Sequence, residues 1–120
     1  MTIERHLITE EPHGGPIISR AVAHGDRVYI CGITGDPAGD VTAQTKLALE
    51  RIDQLLERAG TDKSRALTAQ VWLSDIGLFQ QHNLAWNEWV DPQNPPVRAC
   101  VQAELTEPGL LVEIMLTAAR

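Results

Sequence analysis

Between Pro95 and Ala119 the chain reads PPVRACVQAELTEPGLLVEIMLTAA, and its alternation of apolar and polar residues constrains the fold more than any other stretch. A period of two sends successive side chains to opposite faces of a strand. Val97, Ala99, Val101, Ala103 and Leu105 share one face, and Arg98, Cys100, Gln102 and Glu104 share the other. Taking TEPG as a four-residue connection sets Leu105 opposite Leu110 and joins the runs as an antiparallel hairpin. Leu110, Val112, Ile114 and Leu116 then continue the apolar face, expected against helices, and Glu113 falls on the face of Arg98 and Cys100. In that register Arg98 opposes Thr117, about 13 Å of backbone from Glu113, too far for an ion pair.

Two charges so placed describe either a solvated sheet face or a binding site with room for a small molecule and a water. A guanidinium suits a carboxylate ligand, because its planar fork offers two parallel charge-assisted hydrogen bonds. Glu113, flanked by Leu111 and Met115, suits a general base if another subunit covers that face. Cys100 reads equally as a small packing residue.

Upstream, Ile3–Ile8 reads as a first strand, broken by the turn chemistry of EEPHGGP. Ile17–Ala23 and Arg27–Thr34 read as strands joined by a tight turn at His24-Gly25-Asp26. Thr45, Ala48, Ile52, Leu55, Leu56 and Ala59 form a helical stripe, capped by Asp40 or Thr42 and ended by Gly60. Leu67, Ala69, Val71 and Leu73 alternate as a strand, and Ser74 or Asp75 caps a second helix. On that helix Phe79, Asn83, Trp86 and Val90 recur at helical spacing, so Asn83 is either a pocket amide or an amide at the helix edge. The prolines of DPQNPP end it. The order β-β-β-α-β-α-β-β specifies an α+β layer with both helices on one face of the sheet.

The length of 120 residues suits one domain, residues 1–120, too small to enclose a deep cleft without a second copy. A net charge of −6 with no basic run opposes a phosphate-neutralising surface, so no nucleic-acid partner is expected. Two cysteines and an N-terminal segment without an apolar run suit a reduced, soluble, cytoplasmic protein with no membrane partner. His6, His13, His24 and His82 lack metal-site spacing and read as surface or packing residues, with His82 directed away from Asn83. There is no phosphate-binding glycine loop or nucleophile elbow.

The signature Pro96-x-Arg98-x-Cys100, followed by Val112-Glu113-Ile114, resembles the C-terminal signature of the RidA/YjgF family of enamine and imine deaminases. GGPIISRAV, VYICGITG, the DVTAQTKLALERIDQLLERAG helix and LFQQHNLAWNEWV follow in the order of that family. The resemblance implies a chorismate-mutase-like fold and a homotrimer with pockets between subunits. It implies that Arg98 binds the carboxylate of a 2-imino or 2-keto acid and that Glu113 activates the attacking water. Cys100, Asn83, Gly32, Cys31 and Ile18 match other pocket-lining positions, and neither metal nor organic cofactor is implied. The pattern departs from the family at Gly15-Pro16-Ile17-Ile18, where a tyrosine is usual after Gly-Pro, and at Cys31-Gly32, where Ser-Gly is common. The implied activity is hydrolysis of a reactive imine to a keto acid and ammonia. The alternatives are a non-catalytic trimeric binder of small carboxylates and a chaperone-like interaction protein.

Overall fold

A computed structural model describes residues 1–9 and 14–120; residues 10–13, with His13 among them and part of the expected EEPHGGP turn, lie outside the description. The described residues form strands β1 (Ile3–Ile8), β2 (Ser19–His24) and β3 (Arg27–Thr34), helix α1 (Val41–Arg58) and strand β4 (Ala66–Leu73). Helix α2 (Phe79–Trp89) and strands β5 (Val97–Gln102) and β6 (Val112–Ala119) complete the order. The α+β layering expected from the sequence is present, with strands in the order β1-β2-β3-β6-β4-β5. Strand β2 begins at Ser19 rather than Ile17. Among the described residues no helix is long and apolar enough to cross a membrane.

The expected C-terminal hairpin does not form. Among the described residues strand β5 pairs with β4 alone, in parallel, and β6 inserts antiparallel between β3 and β4. Alternation fixes the two faces of a strand but not its neighbours, and here α2 decides them. A strand followed by a helix and a second strand closes as a parallel crossover unit, leaving the far edge of β4 for β6. The segment between β5 and β6 is therefore a crossing connection of nine residues, not a four-residue turn.

Buried Gln44 of α1 fixes that connection. Its amide nitrogen donates to the carbonyls of Gly39 (2.8 Å) and Gly109 (2.9 Å), and its amide oxygen accepts from Leu111 N (2.8 Å). All three bonds are to backbone, so one side chain satisfies loop groups that have no ladder partner. Helix α1 starts where expected: Asp40 accepts from Ala43 N at 2.8 Å. Gly60, at φ 85°, ends it in a conformation that disfavours a side chain.

The core lies between the helices and one face of the sheet. In β6, Val112, Ile114, Leu116 and Ala118 are at most 1% exposed, as befits a strand paired on both sides. Ala69, Val71 and Leu73 of β4 share that face. The opposite face carries Tyr29, Val97, Val101 and Met115, all exposed.

Candidate functional site

Register assigns each charged side chain to a face. Arg98 stands beside Ala69, which is buried under the helices, and neighbours across a ladder point the same way. Glu113 stands beside Trp72 and Thr34, one residue out of phase with buried Val112 and Ile114. The two residues therefore occupy opposite faces of the sheet, and the expectation that they share one is corrected. Arg98 is level with Leu116 through Ala69, three residues along and two strands across from Glu113. That separation is about 14 Å between backbones, so the expected lack of an ion pair between them holds.

The expectation fails because β5 is an edge strand. Its apolar residues Val97 and Val101 face outward, while the helix side of β5 meets a polar and aromatic pocket on α2. Arg98 Nη2 donates to Asn83 Oδ1 at 2.7 Å, and Nη1 approaches His82 Nε2 at 3.2 Å. The guanidinium also lies 5.0 Å from the Trp86 ring centroid and 5.9 Å from that of Phe79, within range for cation–π attraction. It forms no ion pair among the described residues. Burial lowers its pKa, yet a guanidinium remains charged at neutral pH. Cys100 is the next residue on the same face of β5; burial raises its pKa, while Arg98 opposes the rise. The thiol is accordingly protonated at neutral pH.

His82, read from sequence as a surface or packing residue directed away from Asn83, is fully buried and touches the guanidinium. Its Nδ1 lies 3.0 Å from the Thr45 hydroxyl of α1. Burial first, and the Arg98 charge second, lower its pKa to about 4, so it is neutral at pH 7. The overlooked signal is its spacing. His82 lies three residues after Phe79 and four before Trp86, on the helix face that also buries Ala85 and Trp86.

The second half of the site lies at the end of β3 and β6. Between Ile30 and Ile33 of β3, three residue steps match two on β6, from Leu116 to Ile114. This bulge contains Cys31 and Gly32. The Glu113 carboxylate folds over Gly32 so closely that a β-carbon there would collide with Glu113 Oε2 and sit 3.1 Å from its carboxyl carbon. Glycine lets the carboxylate lie this close, and a larger residue would displace it; no special φ is involved. A cavity of about 850 Å³ opens beside the carboxylate, with Ile18, Arg20, Gly32, Thr34 and Glu113 in its wall. Burial raises the Cys31 pKa, Arg20 opposes this, and Glu113 adds to it. Glu113 makes no ion pair among the described residues.

The anticipated residues thus fall into two groups, Arg98, Asn83 and Cys100 in one and Glu113, Gly32, Cys31 and Ile18 in the other. One chain does not unite them. Among the described residues no three His, Cys, Asp or Glu side chains are placed to hold a metal ion.

Comparison with known proteins agrees with this architecture. The model of the family described as Endoribonuclease L-PSP matches residues 13–120. A RutC family protein of Haemophilus influenzae is 39% identical over 120 residues, covering 98% of each chain. The RutC family protein YoaB of Escherichia coli is 39% identical over 101 residues, 84% of this chain and 89% of its own. Among solved structures, NMB1025 of Neisseria meningitidis, a member of the YjgF protein family, superposes with a TM-score of 0.89 at 32% identity, over 100% of this chain and 96% of that one. Rv2704 of Mycobacterium tuberculosis, of the YjgF/YER057c/UK114 family, superposes with a TM-score of 0.86 at 28% identity, over 99% of this chain and 100% of that one. The chain belongs to this family, called YjgF, RutC or L-PSP.

Proposed function

For this member of the YjgF/RutC family we propose hydrolytic deamination of small 2-imino or enamino acids, giving a 2-keto acid and ammonia. The observation that carries the proposal is Arg98: a half-buried guanidinium oriented by two hydrogen bonds, without a carboxylate partner among the described residues. Such a group gives up little solvation or mobility when it receives a carboxylate ligand.

The site is composite. Arg98 and Glu113 face opposite sides of one sheet, so a pocket containing both draws the arginine from one subunit and the glutamate from the next. A homotrimer supplies three such pockets. Its contact surface would use the outward-facing edge residues Val97 and Val101, and Met115, which would otherwise remain exposed.

In this reading Arg98 fixes the substrate carboxylate and thereby the imine carbon. Glu113 of the neighbouring subunit takes a proton from water as its oxygen bonds to that carbon. The imine π-electrons move to nitrogen. The same acid returns that proton to nitrogen, giving a carbinolamine; Glu113 then moves the carbinolamine's hydroxyl proton to nitrogen, and the carbon–nitrogen bond breaks to release ammonia as that oxygen becomes the new carbonyl. One imine and one water give one keto acid and one ammonia, with no redox change.

The ribonuclease activity in the family model's name finds less support, because a chain with net charge −6 repels a polyanion. A non-catalytic carboxylate binder is the competing reading, favoured by the hydrocarbon side chain of Ile18 in the cavity wall.

The test generates 2-iminopropionate and 2-iminobutyrate in situ and follows ammonia release. Wild type should exceed the uncatalysed rate, and Arg98→Ala and Glu113→Gln should return it to background. Binding of keto acids through Arg98 without turnover would establish the binder instead.

A further inference from the structure

We infer that a cleft between α1 and the β1–β2 end of the sheet, which meets the Glu113 cavity along Leu7, Arg20, Gly32 and Thr34, binds a small multivalent oxyanion through arginines other than Arg98. The cleft has a volume of about 580 Å³. Arg20, Arg51 and Arg58 line it with Gln54 and the buried floor of Ile33 and Leu55. Three of the ten basic residues thus converge on one cleft, whereas among the described residues no Asp or Glu lines it. In a chain of net charge −6 that segregation creates a local field opposite to the global one.

The helix geometry produces it. Arg51, Gln54, Leu55 and Arg58 recur at i, i+3, i+4 and i+7, so they form one stripe along α1. Glu50 and Glu57 fall about 100–120° round the helix from Arg51, beyond Gln54 at the edge of the stripe. Arg58 also complements the C-terminal end of the helix dipole, but Arg51 lies two turns earlier and has no such role. Arg51 is oriented instead: its Nη1 donates to the Thr34 carbonyl at 2.7 Å, leaving other N–H groups of the fork for a ligand. None of the three arginines forms an ion pair among the described residues.

The wall of the cleft carries a second irregularity. Leu7 borders it with φ 51°, in a left-handed conformation that an L-leucine adopts only at a cost. Backbone strain of this kind concentrates at ligand sites.

Three planar forks match a ligand with more than one negative charge, either phosphate-bearing or polycarboxylate. A monocarboxylate would leave two of them unpaired.

The test is calorimetric titration of the assembled protein at low salt with pyrophosphate and, separately, tricarballylate, with acetate as the monovalent control. Arg51→Gln and Arg58→Gln should each weaken binding about tenfold, and the double variant should abolish it. All titrations use the Arg98→Ala background, so that carboxylate binding at Arg98 does not contribute. Circular dichroism verifies that the exposed-arginine variants remain folded. Binding of pyrophosphate alone identifies a phosphate-bearing ligand, and of tricarballylate alone a polycarboxylate. The inference is overturned if neither binds, if acetate binds as tightly, or if the Arg51/Arg58 double variant retains affinity.

Discussion

Arg98 Nη1 approaches His82 Nε2 at 3.2 Å, and because a guanidinium can only donate, the imidazole carries its proton on Nδ1, toward Thr45. The network, rather than any observed hydrogen, assigns this tautomer. His82→Leu removes the acceptor and is expected to raise KM about tenfold with a much smaller change in kcat. His82→Gln, which retains an acceptor, should recover part of the loss. Nitrogen chemical shifts of the wild-type imidazole check the tautomer directly.

Acid should unfold the protein partly through this same histidine. Its folded pKa is depressed to about 4 from 6.5, so the unfolded chain takes up the proton first as pH falls. The stability it contributes is complete above pH 6.5 and is lost progressively as pH falls to about 4. Its magnitude is on the order of 2 kcal/mol. Urea unfolding across that window should give a shallower pH slope for His82→Leu than for wild type. Protonation also places a second donor against Arg98, so carboxylate affinity should decline over the same interval.

Gly32→Ala tests the close approach of Glu113. The new methyl would occupy carboxylate space, and the glutamate would have to move. A displacement of about 1 Å at a reacting group can cost about a hundredfold in rate. The expected variant is folded by circular dichroism, binds keto acids through Arg98 and has lost most of its kcat.

Mixing subunits tests the composite pocket. Arg98→Ala and Glu113→Gln chains, each inactive alone, should regain turnover when unfolded together and refolded as mixed oligomers. Some pockets then receive Arg98 from one chain and Glu113 from the other. No regain, with mixed assembly verified by native mass spectrometry, would exclude a site shared in this way.

The local pattern of the chain was legible because it depends on near neighbours. Asp40 and Gly60 bound α1 as their chemistry requires, and alternation located β3, β4 and β6. Pairing was not legible, because β5 and β6 alternate identically whether they face each other or flank β4. That ambiguity carried into the site. The apolar residues of β5 were expected against the helices, yet Val97 and Val101 are exposed and Arg98 is the residue that meets α2. Only tertiary packing shows that Trp86, Phe79 and His82 make a pocket suited to a cation.

Strand β6 has a consequence for synthesis. It is the last of the six described strands in chain order, yet it occupies the middle of the sheet and joins β3 to β4. While it remains inside the ribosome, the emerged chain consists of two incomplete sheets, each with an unpaired edge able to capture a foreign strand. Neither can close the layer under α1. The sheet therefore becomes whole only when β6 emerges, which makes this a late and cooperative folder whose aggregation risk is concentrated in the nascent chain.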